Sequence, residues 1–362
     1  MAKIRVAVVF GGKSNEHDVS VVSAAHVIRS LQASQEETYD LTYIGITKKG
    51  HWLRYIGSVE DIENGKWEKH PDNTPCILSP DPIHKGFITL DEDGSFSNLK
   101  IDVIFPVLHG KNGEDGTIQG IFQMAEIPFV GCDLISSANC MDKELTHTVL
   151  ESHGINTAKW VSILFSEVDK LEERCAEMEQ KLGYPMYVKP ANCGSSVGIT
   201  KAHDIDELKA GIKAAFSHDK KVIVEEEIVG TECECAVMGN DKPFASTVGE
   251  ISAANEFYDY DAKYNDPGSK TYIPARVAQE SIEEIREVSV KAYKAMGCCG
   301  LARVDFFLCK DGKVILNEIN TLPGHTKISM FPQLMEYVGI PCNEQEDRLI
   351  RLALERTDGA YE

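Results

Sequence analysis

The chain contains 362 residues, of which 43% are hydrophobic and 26% are charged, and these values are ordinary for a globular protein of two or three domains. Its 57 acidic residues outnumber the 37 basic ones and give a formal net charge of −20, which argues against nucleic acid or an anionic membrane as a partner. No apolar run approaches the length of a membrane span, and we expect no secretory signal, because the first residues lead directly into a strand.

The eleven cysteines follow no regular spacing. Cys233 and Cys235 are separated by one residue, and Cys298 and Cys299 are adjacent, whereas zinc knuckles usually carry a C-x2-C pair. A zinc site is therefore the less favoured interpretation. We expect free thiols in a reducing cytoplasm.

The first predicted unit is a strand, a glycine-rich loop and a helix. An apolar strand over residues 3–10 is followed by Gly11-Gly12-Lys13-Ser14-Asn15-Glu16 and by a helix over about residues 19–31. Such units hold phosphate or carboxylate groups in α/β proteins. A P-loop would need glycine where this chain has Ala7, and no G-x-G-x-x-G is present. Glu16 is either a partner of the helix dipole or a group that orients a substrate ammonium.

Two more strands are predicted in this first domain, over residues 41–46 and 101–107. The polar, turn-rich residues 51–98 between them are interpreted as an insertion or a small flap. The second strand ends at His109 and a cluster of glycines, a pattern that marks a ligand crevice in open α/β sheets. His109 is thus a candidate functional residue, with a purely structural histidine as the alternative.

A second candidate loop follows a predicted strand that carries Lys189. Residues 191–199 are mostly small and include Ser195 and Ser196, so that backbone N–H groups and hydroxyls can close over phosphates. Lys143 lies upstream and supplies a second positive charge. Together these residues predict a phosphate-binding site.

A run of three acids follows the apolar residues 222–224. Glu225 and Glu226 belong to this run, and a solvated strand end is the simplest interpretation of it. The alternative is a chain that leaves a buried edge with open backbone groups and an acid, which can bind an adenine and a ribose.

The long segment 251–272 is rich in Asn, Asp, Tyr and Gly. Loops of this length in compact domains are usually functional lids or disordered segments. Residues 258–264 are too aromatic for a disordered linker, and we therefore predict a lid.

A β-hairpin is predicted over residues 301–308 and 313–319, because Asp311-Gly312 favours a tight turn. Side chains two positions apart on a strand share a face. Arg303 therefore projects with Asp305, and Glu318 projects with Asn320. Oxygen ligands of this kind suit Mg²⁺ together with nucleotide phosphates, although a solvated hairpin face would also explain each residue taken singly.

Considered together, these motifs resemble those of D-alanine–D-alanine ligases over almost the whole chain. The motifs that carry the resemblance are, in chain order, Val9-Phe10-Gly11-Gly12, Glu16-His17, Leu108-His109-Gly110, Gly113-Glu114-Asp115-Gly116, Met141-Asp142-Lys143, Gly194-Ser195-Ser196-Val197-Gly198, residues 258–264, Arg303-Val304-Asp305, Asn317-Glu318-Ile319-Asn320 and Pro323-Gly324. The resemblance implies an ATP-grasp fold preceded by an open, mostly parallel α/β domain. The expected domains are residues 1–135, 136–222 and 223–362, the last with the lid 251–272.

The resemblance also implies a reaction. ATP activates the carboxylate of a first D-alanine as an acyl phosphate, and the amine of a second D-alanine then displaces phosphate. The dipeptide serves peptidoglycan synthesis. The implied cofactors are two Mg²⁺ ions, with Mn²⁺ as a substitute and K⁺ as a further ion, and the implied assembly is a cytoplasmic homodimer.

Residue roles follow by similarity. The resemblance assigns catalytic roles to Glu16, Ser195, Tyr264, Arg303 and Gly324. It assigns binding of the amino acid substrates to Glu16, His109, Arg303, Gly324, Ser329 and Met330. It assigns ATP binding to Lys143, Lys189, Ser195, Ser196, Glu225, Glu226, Ile228, Glu232, Lys263, Asn317 and Glu318. The metal ligands are Asp305, Glu318 and Asn320.

The sequence departs from the family pattern just after Gly324. His325, Lys327 and Ile328 are unusual there and border the expected second-substrate site. Relatives that make D-alanine–D-serine are therefore the main alternative, whereas the tyrosine-rich lid argues against D-lactate and the apolar Met330 favours D-alanine. Another ATP-grasp ligase and a non-catalytic nucleotide-binding module are the remaining alternatives.

Overall fold

The computed structural model describes residues 3–35, 38–91, 93–252 and 270–356. These residues form three β-sheets, of seven, four and five strands, with helices packed against them. Along the described ranges, no helix is both long enough and apolar enough to cross a membrane.

The first sheet has the order β6-β5-β4-β3-β2-β1-β7. Its strands are β1 (Ile4–Gly11), β2 (Tyr39–Ile46), β3 (Trp52–Tyr55), β4 (Thr74–Leu78), β5 (Gly86–Leu90), β6 (Phe96–Lys100) and β7 (Val103–Leu108). The three strands β2, β1 and β7 are parallel and are followed by antiparallel neighbours. The expected open parallel core is thus extended by four strands.

These four strands correct the interpretation of residues 51–98 as an insertion or flap. The segment continues the sheet and also contains α2 (Val59–Glu63) and a short 3-10 helix, Trp67–Lys69. Trp67 is fully buried, and its ring packs edge-on against Phe10 at 5.0 Å. Gly45 of β2 makes room for it, because a Cβ atom at Gly45 would lie 2.1 Å from that ring. The segment is part of the first core.

Four helices belong to the first part of the chain, and the last of them packs against Val314–Asn320, a strand of the third sheet described below. They are α1 (His17–Gln35), α2 above, α3 (Thr117–Met124) and α4 (Leu134–Met141). Helix α1 begins directly after the glycine-rich loop, as predicted, and packs against β1 and β7. Two glycines of that loop, Gly11 and Gly12, have φ of +88° and +100°, a left-handed conformation that favours glycine.

The second sheet is antiparallel and has the order β10-β9-β11-β8. The elements of this part are α5 (Lys143–Ser152), β8 (Trp160–Leu164), α6 (Leu171–Leu182), β9 (Met186–Pro190), β10 (Thr200–Ala202), α7 (Ile205–Ala215) and β11 (Lys221–Glu226). Strand β11 crosses the expected boundary between residues 222 and 223, and both of its strand partners belong to this sheet.

The third sheet has the order β14-β13-β12-β15-β16. Its elements and the helices beside it are β12 (Gly230–Met238), β13 (Phe244–Ser252), β14 (Lys270–Tyr272), α8 (Gln279–Ala295), β15 (Leu301–Cys309), β16 (Val314–Asn320), α9 (Met330–Tyr337) and α10 (Cys342–Glu355). The predicted hairpin is confirmed, since β15 and β16 pair antiparallel. The two ends of the expected lid belong to β13 and β14, and residues 253–269 of that lid lie outside the described residues.

The hydrophobic cores do not simply follow the three sheets. One core joins β1, α1 and β7 to apolar residues of the chain's last two helices, including Phe331, Leu334 and Leu349. Polar contacts reinforce this junction, because Tyr39 Oη donates to Asp347 Oδ1 at 2.6 Å. The central sheet, in contrast, has a core drawn from its own elements between Val161 and Val224.

Candidate active site

A cavity of about 640 Å³ lies where the three sheets meet. It is lined by residues of the first domain's loops, of the central sheet and of the β15–β16 hairpin. The predicted site residues that line it are Glu16, His109, Lys143, Lys189, Ser195, Ser196, Glu225, Glu226, Ile228, Glu232, Arg303, Asp305, Asn317, Glu318, Asn320 and Gly324. The structure thus brings together residues that are more than 300 positions apart in the sequence.

The small-residue loop forms one wall of the cavity. Ser195 and Ser196 have φ of +49° and +57°, a conformation that turns successive N–H groups towards one side and suits anions. Lys143 Nζ donates to the carbonyl of Cys193 at 2.7 Å, which holds the lysine beside this loop. Ser195 Oγ donates to Glu16 Oε1 at 2.5 Å. That bond connects the loop to the first domain.

Lys189 is held by a buried carboxylate. Its Nζ lies 2.6 Å from Glu225 Oε2, and His147 Nε2 lies 3.0 Å from the other oxygen of Glu225. Burial by itself raises the pKa of Glu225, but the charge of Lys189 and the hydrogen bond to His147 outweigh burial and hold that pKa well below its usual range. Glu225 is therefore a carboxylate that fixes a lysine.

The outer part of this wall carries two more ion pairs. Lys159 Nζ contacts Glu226 Oε2 at 3.0 Å, and Lys201 Nζ contacts Glu227 Oε1 at 2.9 Å. The Lys201 ammonium also lies 5.6 Å from the centre of the Tyr187 ring. Tyr187, Lys201 and Glu227 all line the cavity, so an aromatic ring and several polar groups are available to a bound base.

The hairpin forms the opposite wall. Arg303 pairs with Asn320 across the two strands and Asp305 pairs with Glu318, so all four face the cavity side. Arg303 donates to both oxygens of Asp305, at 2.7 and 2.6 Å, and Asn320 Nδ2 donates to Asp305 Oδ2 at 2.9 Å. The prediction that these side chains share a face is confirmed.

Arg303 has a second acidic partner. Glu234 of β12 lies 3.0 Å from Arg303 Nε and is almost fully buried. Burial alone disfavours the charged guanidinium, yet the charges of Asp305 and Glu234 hold the pKa of Arg303 well above its usual range. Arg303 is thus a permanent buried cation.

The donor set on the hairpin fits a magnesium ion. Among the described residues, no group of three or more His, Cys, Asp or Glu side chains could enclose a metal ion. The hairpin offers two carboxylates and one amide, from Asp305, Glu318 and Asn320. Mg²⁺ is usually bound by one or two carboxylates and completed by water and substrate phosphates. A small donor set that shares a cavity with the small-residue loop fits such an ion.

Two carboxylates face each other at the floor of the cavity. Glu114 lies close to Glu16, and its pKa is raised, first by burial and then by the charge of Glu16. Gly110 is needed here, because a Cβ atom would lie 2.2 Å from Glu16 Oε2 and the residue has φ of +68°. A cationic group placed here would relieve the repulsion between the two acids.

His109 is buried at the edge of the cavity. Its Nδ1 lies 3.0 Å from the carbonyl oxygen of Leu322, and its Nε2 lies 3.4 Å from Ser23 Oγ. Both ring nitrogens therefore contact protein groups, which agrees with the structural alternative considered for this histidine.

The structure places Ser329 and Met330 away from the cavity lining. Ser329 Oγ accepts from the N–H of Thr326 at 3.0 Å and bonds its hydroxyl at 2.8 Å. Met330 is buried in the core shared by the first and last parts of the chain. His325 is also buried, against the rings of Phe105 and Phe331, whereas Lys327 and Ile328 are exposed.

Two predicted residues of the lid, Lys263 and Tyr264, lie outside the described residues. Their assigned roles stay predictions.

Sequence reasoning missed several residues that hold the site together. His147 supports Glu225 and Glu234 supports Arg303, and each comes from a different element than its partner. Glu114 lies in the motif Gly113-Glu114-Asp115-Gly116, but the sequence analysis assigns it no role. The one available signal is an acid flanked by two cysteines, since Glu234 lies between Cys233 and Cys235.

Solved structures place this architecture among known folds. The D-Ala:D-Ser ligase VanG from Enterococcus faecalis superposes with a TM-score of 0.89 at 42% identity, covering 97% of this chain and 100% of that one. The D-alanine–D-alanine ligase from Coxiella burnetii superposes with a TM-score of 0.84 at 32% identity, covering 98% and 96%. With the cavity described above, these similarities define an ATP-grasp enzyme.

The sequence comparisons narrow the class further. The D-ala D-ala ligase N-terminus family matches residues 5–132, and the D-ala D-ala ligase C-terminus family matches residues 149–351. A D-alanine–D-alanine ligase from Caldicellulosiruptor bescii is 46% identical over 358 residues, and one from Ruminiclostridium cellulolyticum is 48% identical over 366 residues. Each alignment covers 98% of this chain and 96% of the relative. The chain belongs to the D-alanine–D-alanine ligase family and is an ATP-dependent ligase, a class that uses a divalent metal ion.

Proposed function

We propose that this protein forms D-alanyl-D-alanine from two D-alanine molecules and ATP, through a D-alanyl phosphate, for peptidoglycan synthesis. The observation that carries the proposal is one cavity lined by two lysines, a set of oxygen donors that suits Mg²⁺, a buried arginine and an acid pair. The relatives named above, with 46% and 48% identity, support D-alanine as both substrates.

The central sheet holds the nucleotide in this proposal. Lys143 and Lys189 contact the phosphates, and the N–H groups of Ser195 and Ser196 close over them. Glu225 acts mainly by fixing Lys189, at 2.6 Å. The residues that would border the nucleoside are Glu226, Ile228 and Glu232, and Asn317 lies beside the metal ligand Glu318.

The hairpin holds the metal. Asp305, Glu318 and Asn320 would bind Mg²⁺, with two ions expected, Mn²⁺ as a substitute and K⁺ as a further ion nearby. When bound, the divalent ion neutralises charge on the transferred phosphoryl group. Asn317 is the extra residue of a β-bulge, since Asp305 pairs with Glu318 and Phe306 pairs with Leu316. Bulges of this kind redirect side chains next to active sites.

The first domain and the hairpin orient the amino acids. Glu16 would bind the ammonium of the first D-alanine, and Arg303 with the N–H of Gly324 would stabilise the developing oxyanion. Ser195 would connect Glu16 to Tyr264 of the lid.

The identity of the second substrate, D-alanine or D-serine, is a separate question. VanG, which the comparison names as a D-Ala:D-Ser ligase, superposes well on this chain, so D-serine is the alternative. We favour D-alanine because relatives that are 46% and 48% identical are named D-alanine–D-alanine ligases. Met330 lies in a core away from the cavity and does not discriminate between the two substrates.

Product analysis tests the proposal. The purified protein is incubated with ATP, Mg²⁺ and D-alanine, and ADP and dipeptide are measured by coupled assay and mass spectrometry. We expect equal amounts of ADP and D-alanyl-D-alanine, with no ADP when D-alanine is omitted. Equimolar D-serine or D-lactate is then added. Absence of D-alanine-dependent ADP, or a mixed product in excess of the D-alanine dipeptide, would refute the assignment.

We further propose three domains with the central one extended to residue 226, because β11 belongs to its sheet. We also propose a cytoplasmic homodimer. Free cysteines, most of them buried, support the cytoplasmic location. Exposed apolar side chains on neighbouring helices, among them Met124, Leu134 and Ile135, support the dimer. Light scattering after gel filtration tests the dimer, which would give about twice the 40.1 kDa chain mass.

A further inference from the structure

The first domain holds both backbone polar groups of one residue, Leu322, in the loop after β16. The N–H of Leu322 donates to Glu114 Oε1 at 3.3 Å, and the carbonyl of Leu322 accepts from His109 Nδ1 at 3.0 Å. Glu114 is itself held, because its Oε2 accepts from the N–H of Gly110 at 2.7 Å. The backbone of Leu322 is therefore fixed at both its N–H and its carbonyl by side chains more than 200 residues earlier.

A third contact fixes the same loop further on. The N–H of His325 donates to Ser23 Oγ at 3.4 Å, and Ser23 Oγ also lies 3.4 Å from His109 Nε2. A carbonyl oxygen only accepts, so the bond to Leu322 requires the proton on His109 Nδ1. Nε2 then accepts from the Ser23 hydroxyl. Each donor in this series of hydrogen bonds then has an acceptor.

The residue between these fixed points is Gly324. Leu322 is held two positions before it and His325 one position after it, and Leu322, Pro323 and Gly324 all line the cavity. Donors that stabilise an oxyanion work because they are held in place before charge develops, so their supports affect the rate directly. A displacement of about 1 Å in such a site can cost about a hundredfold in rate.

We propose that Glu114 and Ser23 are positioning residues for peptide-bond formation, which together with His109 bracket Leu322–His325 and set the position of the Gly324 amide. This rests on the proposed function, because it assumes that Gly324 faces the reacting carbonyl. Glu114 and Ser23 act through the loop backbone and need not touch substrate.

The first test is Glu114→Gln. The side chain keeps its size, but its NH₂ group cannot accept a hydrogen bond, so one of the two backbone N–H groups loses its acceptor. We expect kcat for dipeptide formation to fall by about 10- to 100-fold, while KM for ATP stays within about twofold. A second readout is the ratio of ADP to dipeptide, which rises above one when the acyl phosphate is lost to water instead of being captured by the amine.

Ser23→Ala is the second variant and keeps the proposal testable if Glu114→Gln folds poorly. It removes the contact after Gly324 and leaves the two at Leu322, so we expect a smaller kcat loss of about 3- to 10-fold and the same rise in the ADP ratio. Glu173→Gln, at an exposed position of α6, is the matched control and should behave as wild type.

The two hypotheses fail differently. If the proposed function is wrong, the wild-type protein itself makes no dipeptide. If the positioning role is wrong, the wild type makes dipeptide, and both variants retain its kcat and its one-to-one ratio, or lose ATP affinity and thermal stability in parallel with kcat.

Discussion

Arg303 shows how a charged residue can serve the fold and the chemistry at once. Its side chain is 6% exposed and contacts Asp305 and Glu234, whose side chains are 5% and 2% exposed. Two buried acids around one arginine leave a net negative charge, which a metal ion bound at Asp305 would offset. Because of the same ion pairs, removal of the arginine should destabilise the fold.

We therefore predict that Arg303→Ala lowers the free energy of unfolding by about 3–5 kcal/mol, because it leaves buried carboxylates uncompensated. Urea denaturation at pH 7 measures this change. The control is Arg348→Ala, which removes a half-exposed pair with Glu344 and should cost less than about 1 kcal/mol. A similarly small change in the free energy of unfolding for Arg303→Ala would contradict the burial of its charge. Activity is better probed with Arg303→Lys, which keeps the cation but loses the two-pronged geometry.

Lys189 gives a second prediction at the scale of single residues. Lys189→Met should weaken ATP binding by at least about tenfold, since a charge-assisted contact to phosphate is lost. Isothermal titration calorimetry measures the dissociation constant. Lys213→Met, on the exposed side of α7, should leave it unchanged. If Lys189→Met binds ATP normally, the lysine serves only to balance Glu225.

Single residues were predicted well where a local pattern exposed them. The alternation on β15 and β16 placed Arg303, Asp305, Glu318 and Asn320 on one face, and the structure agrees. The supporting residues could not be found this way, because His147 and Glu234 act across tertiary contacts that no periodicity encodes. The role assigned to Ser329 stays a prediction, and its hydroxyl contacts Thr326 in a local turn that the sequence pattern does not indicate.

At the scale of elements, the segment 51–98 explains what the sequence pattern missed. Strand β6 is mostly exposed, and β3 has only one buried residue. Strands without a continuous apolar face resemble loops in sequence. Helix α1 and the buried strands β1 and β7 agree with their predictions, because burial imposes a pattern on them.

Trp67 tests whether this segment is structural. We predict that Trp67→Ala costs about 3–5 kcal/mol of folding free energy, as removal of a fully buried aromatic ring usually does. Phe96→Ala is the control within the same segment, because its ring is 71% exposed, and it should change stability by less than about 0.5 kcal/mol. Equal losses of folding free energy in the two variants would indicate that the segment is a flap.

The junction of α1 and α10 contains a buried acid with an unusual titration. Glu346 is fully buried, and its Oε2 accepts from Ser30 Oγ at 3.0 Å. Burial raises the pKa of Glu346 to about 8. Between the ordinary carboxyl pKa and about 8, the native state therefore keeps a proton that the unfolded chain has lost. Stability from this group is present at low pH and is lost as the pH rises towards 8.

We predict that Glu346→Gln removes this pH dependence. Relative to the variant, the wild type should lose up to about 1.4 kcal/mol per pH unit between pH 5.5 and 7.5. Denaturant unfolding at several pH values measures the difference. Glu344→Gln, at a half-exposed position of α10, serves as the control. Parallel pH profiles for wild type and Glu346→Gln would show that Glu346 is ionised in the folded protein.

At the scale of the whole molecule, the division into cores differs from the division of the sequence. The first domain and the last two helices share one core, whereas the central sheet has its own. A unit with a separate core and few covalent links can move as a body against its neighbours. The phosphate-binding loop belongs to this central unit.

Hydrogen exchange can test this organisation. Leu349→Ala in α10 removes a fully buried side chain of the shared core and should speed amide exchange in β1 and α1, some 300 residues away, with little effect on β9 and β11. Ile212→Ala in α7 removes a buried side chain of the central core and should do the reverse. Exchange that rises uniformly in both variants would mean that the whole chain opens as one unit.

The shared core has a consequence for how the protein is made. Helix α1 leaves the ribosome about 300 residues before the apolar residues of α9 and α10 that share its core. At about 5–20 residues per second, the nascent first domain waits roughly 15 to 60 seconds with part of its apolar surface uncovered. The central unit is complete long before then. During synthesis, the middle of the chain therefore becomes the first part able to reach its final form, and the newborn amino-terminal part depends longest on protection from aggregation.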